Sequence, residues 1–335
     1  MQTAEFDYDL PEQAIAQVPV EPRDRARLLV DRGKGETPEH RTVADLPRLV
    51  RPGDVVVVNT TRVLPARLKL RKPTGGAVEV FLLERTAPGR WDALVRPSRK
   101  VAPGTRFEAG PDLTVEVGEH GDGVRPVVLH TSDGVDELTA LARHGAVPLP
   151  PYITTELADP ERYQTVFADR PESVAAPTAG LHLTDEVLAG CRAAGATVAT
   201  VELAVGLGTF KPMTAERVED HHMHSERYRV PEATLAACRA ADRVVAVGTT
   251  AVRALESAAR RGEPEGRTDL FVRRPFDWQV VDVLLTNFHL PRSSLLVLVD
   301  AFVGPRWRAL YAEALAAHYR FLSFGDAMLL TRDPS

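Results

Sequence analysis

Apolar residues recur at the spacing of an amphipathic helix in several segments of the chain, and short apolar runs stand between these segments. A helix with one apolar face needs a surface that covers that face, and a sheet provides one. The alternation therefore predicts an α/β domain with a largely central sheet. The four clearest helical segments are LTDEVLAGCRAAG (183–195), PEATLAACRAADR (231–243), TTAVRALESAARRG (249–262) and WRALYAEALAAHY (307–319).

A different pattern occupies residues 64–150. Short strand-like runs follow one another here, and Gly, Pro and Asp turns separate them. Such a succession is typical of a small all-β unit, a barrel or a sandwich. We expect 64–150 to form an inserted barrel-like domain, and 1–63 with 151–335 to form the main α/β domain. The runs are VEVFLLE (78–84), WDALVRP (91–97), TRFEA (105–109), LTVEVGE (113–119) and RPVVLH (125–130).

Four apolar runs of the α/β domain end in clusters of polar residues. The carboxyl ends of strands in an open α/β sheet face the ligand-binding crevice, so these clusters predict a composite active site. Threonine also caps helices, and Thr249 or Thr250 could serve only in that way. The residues that we expect at the site are Asn59 and Arg62, Thr209, Thr249 and Arg253, and Asn287 and His289.

The segment SVAAPTAGLH (173–182) predicts a binding loop before a helix. Its small side chains let the backbone approach a bulky ligand, while Pro177 and Gly180 set the local geometry. Thr184 then fits the N-cap of the next helix. The alternative is a tight crossing through the core. The side chains that such a loop offers to a ligand are Ser173, Thr178 and His182.

The charge and apolar content of the chain narrow the classes of function. A net charge of −5 gives no general attraction to polyanions, although cations crowd residues 62–72 and 96–100. The amino terminus lacks the features of a signal peptide, and Asp300 interrupts the longest apolar run, 295–303. We expect a soluble cytoplasmic protein without a membrane span. His221, His222 and His224 lack the spacing of a zinc signature, so no metal is predicted.

A series of longer motifs is similar to those of one known family. These motifs are FDYDLP, GDVVVVNTTRVLPARL, PLPPYI, ERYQTVFA, SVAAPTAGLHLT, VGLGTF, MHSE, VAVGTTAVRALES, TNFHLPRSSLLVLV and YRFLSFGDAMLL. They run in order from about Phe6 to Leu330, and they resemble the S-adenosylmethionine:tRNA ribosyltransferase-isomerase family of queuosine biosynthesis.

The resemblance implies a transferase with a two-domain fold, an α/β domain with an inserted β-barrel. Its reaction transfers and isomerises the ribosyl part of S-adenosylmethionine onto 7-aminomethyl-7-deazaguanine at the wobble position of the tRNA anticodon. The products are epoxyqueuosine in tRNA, adenine and methionine. S-Adenosylmethionine is then a cosubstrate, tRNA is the partner, and neither a metal nor a further cofactor is expected.

That chemistry needs a base beside the ribose carbon next to the sulfonium and a hydrogen-bond donor for the departing adenine. An unperturbed imidazole titrates near pH ~6.5 and needs little tuning for proton transfer. The candidates for proton transfer are His182, His289 and His224, and each could instead be a structural histidine. Arg62 or Arg253 could hold the methionine carboxylate or an RNA phosphate, and Asn287 and Thr249 could orient adenine or ribose.

The chain also departs from the family pattern. Ala204 stands where the family usually has a histidine, and residues 267–269 and 274–276 differ from its usual Trp-Thr-Asp and Pro-Gly-Tyr. These differences leave open a member that uses S-adenosylmethionine with a different, non-tRNA acceptor. The polar strand ends disfavour a noncatalytic RNA-binding protein, and the absence of the usual glycine-rich loop disfavours a methyltransferase. Both a monomer and a homodimer remain open.

Overall fold

The computed structural model describes residues 1–121, 123–206 and 212–333. The chain divides into two compact units. The first comprises Met1–Arg62, Pro150–Arg170 and Ala176–Ser335, and the second comprises Val63–Leu149 and Pro171–Ala175.

The regular elements of the described residues are numbered here in chain order. The strands are β1 Arg27–Asp31, β2 Glu39–Thr42, β3 Asp54–Asn59, β4 Thr61–Val63, β5 Arg67–Arg71, β6 Ala77–Ala87, β7 Arg90–Arg96, β8 Thr105–Gly110, β9 Leu113–Val117, β10 Arg125–Thr131, β11 Arg170–Ser173, β12 Thr197–Leu203, β13 Glu226–Arg229, β14 Arg243–Val247, β15 Glu265–Thr268, β16 Val283–Asn287 and β17 Ala327–Thr331. The α-helices are α1 Glu137–His144, α2 Asp185–Ala193, α3 Glu232–Ala240, α4 Thr249–Arg261, α5 Ser294–Val303 and α6 Trp307–Ala316.

The first unit is built on a mixed sheet with the strand order β15-β13-β12-β3-β14-β16-β17-β1-β2 among the described residues. The four adjacent strands β12, β3, β14 and β16 are parallel to one another. Their carboxyl ends therefore lie at one edge of the sheet. β17 runs antiparallel to β16 and closes this parallel group on one side.

The central strands are buried on both faces, which explains their continuous apolar runs. Every residue of β3 and of β16 is buried, as expected for parallel strands with helices on each side. Val56 and Val58 of β3 belong to one apolar cluster with Leu188 of α2. Helix α4 also packs on this sheet, against β12 and β14.

The four helical segments predicted from the sequence are confirmed as α2, α3, α4 and α6. Sequence reasoning missed α5, because eight of its ten residues are buried and its pattern has little polar contrast. Asp300 within α5 is only 1% exposed. Its carboxylate accepts hydrogen bonds from Arg274 and from the indole of Trp307, which explains how an acidic residue is tolerated in an apolar helix.

The second unit is a six-stranded antiparallel sheet with the order β5-β6-β7-β10-β9-β8. Its end strands β5 and β8 lie close together, so the sheet nearly closes into a barrel. β7 and β9 alternate between buried and more exposed positions, as strands with one covered face do. Helix α1 packs on β9 and β10, and the side chain of Asp136 caps its amino terminus.

The predicted fold class, a main α/β domain with an inserted small all-β, barrel-like domain, is confirmed. In the described part of the chain, no helix combines the length and the apolar character that a membrane crossing requires.

Candidate active site

A cavity of about 620 Å³ opens at the carboxyl edge of the parallel strands in the first unit. The residues after β12, β14 and β16 form one side of it, and the segment 176–179 forms another. Four of the residues predicted for the site line this cavity, namely Thr178, Thr249, Asn287 and His289. The sheet topology accounts for this, since parallel neighbours end at the same edge.

The segment SVAAPTAGLH continues as a 3-10 helix, Thr178–His182, whose last four residues are buried. Gly180 is needed for close packing, because a Cβ there would lie 2.8 Å from Cζ of Phe167. The predicted N-cap of the following helix is confirmed, since the Thr184 hydroxyl accepts a hydrogen bond from the Val187 amide at 3.2 Å. The segment is thus both tightly packed and part of the cavity wall.

Asn287, the last residue of β16, holds this segment against the sheet. Its carbonyl Oδ1 accepts a hydrogen bond from the Thr178 hydroxyl at 2.9 Å. Its amide nitrogen lies 2.9 Å from Nε2 of His182 and 3.2 Å from the carbonyl oxygen of Leu322. Because the amide nitrogen donates, Nε2 of His182 accepts, and the neutral imidazole carries its proton on Nδ1.

His182 is buried and its pKa is strongly depressed. Burial, and to a smaller extent the charges of Arg320, Arg162 and Arg23, lower the pKa of His182 to about 3. Burial and the neighbouring arginine charges both disfavour a positive charge on the imidazole of His182. His182 is therefore neutral at physiological pH.

His289 lines the larger cavity, whereas His182 lines only the smaller one among the described cavities, and His289 is also neutral. Its Nε2 lies 3.0 Å from the hydroxyl of Thr286, and its backbone amide donates to the hydroxyl of Tyr311 at 3.0 Å. The hydroxyl of Tyr8 donates to its backbone carbonyl at 2.5 Å. Burial lowers the pKa of His289 to about 3.

Helix α4 begins at the cavity directly after β14. Gly248, which precedes the helix, has φ +89° and ψ 152°, a region that is essentially restricted to glycine. Neither Thr249 nor Thr250 caps the helix, because Gly248 is the N-cap residue and the cap has no side-chain hydrogen bond. The alternative of a purely capping role for these threonines is thus wrong, and both line the cavity.

Asn59 lies beneath the cavity rather than in its wall. Its amide nitrogen donates to the carbonyl of Leu203 at 3.1 Å and to the hydroxyl of Thr250 at 3.2 Å. Its Oδ1 accepts from the amide and the hydroxyl of Thr61, each at 3.1 Å. These bonds join the ends of β3 and β12 to the start of α4, so Asn59 fixes the geometry of the strand ends.

Arg253, a predicted substrate-binding residue, does not line the larger cavity. Its guanidinium pairs with Glu226 and donates to the carbonyls of Leu270 at 3.1 Å and Thr268 at 3.3 Å. Arg253 and Glu226 are both buried. The structure gives Arg253 the role of tying α4 to the edge strands β13 and β15.

Three further predicted residues also lie away from the cavity. Arg62 pairs with the exposed Glu161 at 2.5 Å, and the Ser173 hydroxyl donates to the carbonyl of Ala175 at 2.7 Å within the second unit. His224 is exposed on the segment before β13. Thr209 lies outside the described residues.

A second cavity, of about 220 Å³, adjoins His182. Its walls include Arg23 and Arg162, which sequence reasoning did not single out, and Ser323 lines both cavities. Arg162, Ser323 and the Tyr152 of the larger cavity lie inside the quoted motifs ERYQTVFA, YRFLSFGDAMLL and PLPPYI. Their occurrence as polar residues within those motifs is the sequence feature that could have pointed to these three residues.

No metal site emerges from the part of the chain that the structure describes, since it contains no group of three or more His, Cys, Asp or Glu side chains placed to hold an ion. The site is instead built from hydroxyl, amide and neutral imidazole groups.

A cavity at the carboxyl ends of parallel strands, lined by a few convergent polar groups, defines an α/β protein with a candidate small-molecule site. The sequence model of the queuosine biosynthesis protein family matches residues 3–330. The chain belongs to this family.

The names of similar proteins support the assignment of the chain to this family. Proteins named S-adenosylmethionine:tRNA ribosyltransferase-isomerase are similar to the chain along its full length: the one from Rubrobacter xylanophilus is 51% identical over 98% of both chains. The one from Thermotoga maritima is 48% identical over 98% of this chain and 100% of its own. A crystal structure of S-adenosylmethionine tRNA ribosyltransferase from Thermotoga maritima has a TM-score of 0.56 and 38% identity, and covers 97% of this chain and 99% of that one.

Proposed function

We propose that the protein transfers and isomerises the ribosyl part of S-adenosylmethionine onto 7-aminomethyl-7-deazaguanine in the anticodon region of tRNA. The products are epoxyqueuosine in tRNA, adenine and methionine. The observation that carries the proposal is the cavity of about 620 Å³ at the strand ends, in a chain about 50% identical over its full length to proteins named for this reaction. Its place of action is the cytoplasm, where tRNA is modified.

The electrostatic character of the larger cavity suits a positively charged nucleoside. Its lining, within the described part of the chain, includes no lysine or arginine, so no cationic side chain in the wall repels a sulfonium. The start of α4 contributes backbone amide groups at Thr249 and Thr250, and such groups at a helix terminus can donate to ring nitrogens of adenine. Burial of the site excludes the water that would otherwise compete for the reacting groups.

His289, which lines the larger cavity, and His182, which lines the smaller one, are the proton carriers of the proposal. Both are neutral at physiological pH, because burial lowers the pKa of each to about 3. A neutral imidazole can accept a proton from a carbon that an adjacent sulfonium already acidifies, and it can return that proton to the leaving adenine. Asn287 fixes the ring of His182, and Thr286 fixes the ring of His289.

The second unit carries the basic surface that we assign to tRNA. The Nζ of Lys72 donates to the backbone carbonyl of Lys100, so the two basic runs of the sequence, 62–72 and 96–100, meet in space. Lys69, Arg71, Arg96 and Arg99 are exposed on the same runs. Lysine and arginine side chains on a surface of this kind bind phosphates and release counterions.

Mass spectrometry of the products tests the proposal. The protein is incubated with S-adenosylmethionine and a tRNA that carries the aminomethyl deazaguanine base. Free adenine and methionine, with epoxyqueuosine in the tRNA, support it. A methyltransferase would instead leave adenosylhomocysteine, and a noncatalytic RNA-binding protein would release no adenine.

A family member that uses a non-tRNA acceptor is the alternative, and the departures from the family pattern motivate it. Two of these departures have internal partners: Arg274 pairs with the buried Asp300 at 2.6 Å, and Arg267 donates to the hydroxyl of Ser225 at 3.1 Å. Neither residue lines the larger cavity. The names of the relatives favour tRNA. Adenine release that needs the free deazaguanine base and ignores tRNA would support the alternative instead.

A further inference from the structure

Two arginines, Arg23 and Arg162, line the smaller cavity together with His182. A third, Arg320, reaches the same region, since its Nη1 donates to the carbonyl of Val18 at 3.1 Å, next to the lining residue Pro19. The charges of all three contribute to the low pKa of His182. The interior of the cavity is therefore strongly electropositive.

Two guanidinium nitrogens in this group are buried and lack an acceptor. Nη1 of Arg162 and Nη2 of Arg320 have no hydrogen-bond partner within the described residues. Other nitrogens of the same groups are used, since Nη2 of Arg162 donates to the carbonyl of Val20 at 3.0 Å and Nη1 of Arg320 to that of Val18 at 3.1 Å. A charged donor left unsatisfied in the interior costs free energy, and native proteins seldom keep one without a ligand or water that accepts.

Two acidic residues that pair near this group, Glu21 and Glu161, lie toward solvent. Glu21 pairs with Nε of Arg162, but 64% of the Glu21 side chain is exposed. Arg23 donates to the backbone carbonyls of Gln164 at 2.6 Å and Glu161 at 3.4 Å. The carboxylate of Glu161 is 64% exposed and pairs with Arg62. The buried carboxylate of Asp326 accepts hydrogen bonds from the backbone amides of Arg27 and Arg320. Within the described residues no acidic side chain lines the smaller cavity, so an anion inside it would meet the guanidinium charges directly.

We propose that this cavity binds the carboxylate of the amino-acid part of S-adenosylmethionine, with the unpaired nitrogens of Arg162 and Arg320 as the donors. The proposal rests on the proposed function. It replaces Arg62 and Arg253, the sequence candidates for this carboxylate, with a pair of arginines that have free donors.

The position of the cavity favours a small ligand that spans both cavities. Ser323 lines both of them, and the hydrogen bond from Asn287 to His182 links their walls. The two cavities are therefore adjacent, and the proposal requires that the amino-acid arm of a nucleoside in the larger cavity enter the smaller one. A carboxylate ends its chain and can enter a small enclosed cavity, whereas an RNA phosphate continues into chain on two sides and needs an open groove.

The same geometry would couple substrate binding to the chemistry. A carboxylate beside Arg23, Arg162 and Arg320 offsets the charges that disfavour protonation of His182. Binding of the amino-acid arm then makes the imidazole more basic at the moment when a proton acceptor is needed.

Equilibrium binding of two nucleosides tests the proposal. S-Adenosylmethionine and its decarboxylated analogue differ only in the carboxylate. We expect the wild-type protein to prefer S-adenosylmethionine by about 10- to 100-fold, the range for hydrogen bonds to a charged group. Arg320→Gln and Arg162→Gln should each lose most of this preference, mainly by weaker binding of S-adenosylmethionine.

Arg25→Gln is the matched control, because Arg25 is exposed on the same short 3-10 helix, Arg23–Arg25. It should keep the wild-type preference. Thermal unfolding verifies that each variant is folded, and if one arginine variant does not fold, the other decides the outcome. Equal losses of binding for both nucleosides indicate a structural role and overturn the proposal.

The remaining outcomes separate this proposal from the proposed function. A wild-type protein that binds both nucleosides equally and still releases adenine overturns the carboxylate site alone. Variants that keep the preference but bind tRNA more weakly, with a smaller salt dependence, identify an RNA phosphate as the occupant and also overturn it. A wild-type protein that binds neither nucleoside and releases no adenine overturns both.

Discussion

The amide nitrogen of Asn287 lies 2.9 Å from Nε2 of His182, so the last residue of a central strand fixes the tautomer of a buried imidazole. Asn287→Ala removes this donor and the acceptor of the Thr178 hydroxyl. We expect a loss of about 1–3 kcal/mol in the free energy of unfolding. We expect adenine release to slow by about 100-fold, the scale of a misplaced catalytic group.

Val127→Ala is the control for this change, since Val127 is buried in the second unit, in β10. It should lower stability without a comparable loss in turnover. Denaturant titrations and initial rates of adenine release measure the two effects separately. An Asn287→Ala variant with wild-type turnover would remove His182 from the proposed chemistry.

The ion pair of Arg253 and Glu226 should contribute to stability and not to substrate binding. Arg253→Met leaves the buried carboxylate of Glu226 without its partner, and we expect a loss of about 3–5 kcal/mol. Arg62→Met breaks an exposed pair and should cost less than about 1 kcal/mol. Urea denaturation of both variants measures the difference. A stable Arg253→Met protein with a raised KM for S-adenosylmethionine would contradict this assignment.

The two buried imidazoles should make the protein sensitive to acid. The pKa of His289 is about 3 in the folded state, against ~6.5 for an unperturbed imidazole in the unfolded chain. Between these values the unfolded state binds more protons, so the free energy of unfolding falls as the pH drops from about 6.5 toward about 3. Each imidazole contributes up to about 1.4 kcal/mol per pH unit in this window.

His289→Gln isolates the contribution of one imidazole. Its free energy of unfolding should depend less steeply on pH than that of the wild type between about pH 6 and pH 4. Urea titrations at several pH values give the slopes, and Val127→Ala, which keeps both imidazoles, gives the reference for a destabilised protein. Equal slopes in His289→Gln and Val127→Ala would show that His289 is protonated in the folded state.

Gly180 should tolerate no larger residue, because a Cβ there would lie 2.8 Å from Cζ of Phe167 and 3.0 Å from Cγ2 of Thr165. Gly180→Ala must displace the segment that carries Thr178 and His182, and we expect a loss of about 1–3 kcal/mol. Gly76→Ala is the control, since its Cβ would have only ordinary contacts, the nearest at 3.6 Å. Thermal unfolding compares the two variants. Equal melting temperatures would mean that the segment has room to relax.

The sequence could predict the edge of the sheet at which the site lies. Apolar runs separated by helices imply parallel strands, and Asn287 and Thr249 follow directly from the ends of two such strands. The sequence could not show that Thr249 lines the cavity and Arg253 does not, because both residues stand near the start of the same helix. The difference lies in which helix face covers the sheet, and that depends on tertiary packing.

Sequence patterns also could not find the arginines around His182. Arg23, Arg162 and Arg320 stand in or beside irregular segments more than a hundred residues apart in the chain, so no periodicity connects them. The low pKa values of His182 and His289 were likewise invisible, because desolvation depends on the complete fold and not on neighbouring residues.

The basic surface of the second unit should control the salt dependence of tRNA binding. Lys69 and Arg71 are exposed on β5, and Lys72 contacts the backbone of Lys100. Each phosphate contact contributes about 0.7–0.9 to the slope of log affinity against log salt. The double variant Lys69→Gln with Lys100→Gln should therefore bind tRNA more weakly and lose about 1–2 from this slope. Its affinity for S-adenosylmethionine should not change.

Arg239→Gln removes an exposed charge from α3 in the first unit and serves as the control for net charge. Filter binding of tRNA over a range of salt concentrations gives the slope for each protein, and equilibrium dialysis gives the affinity for S-adenosylmethionine. If the double variant and Arg239→Gln have the same slope as the wild type, the tRNA binds elsewhere. A local basic surface can bind RNA on a protein with a net charge of −5 because exposed charges act over only about 10 Å at 0.1 M salt.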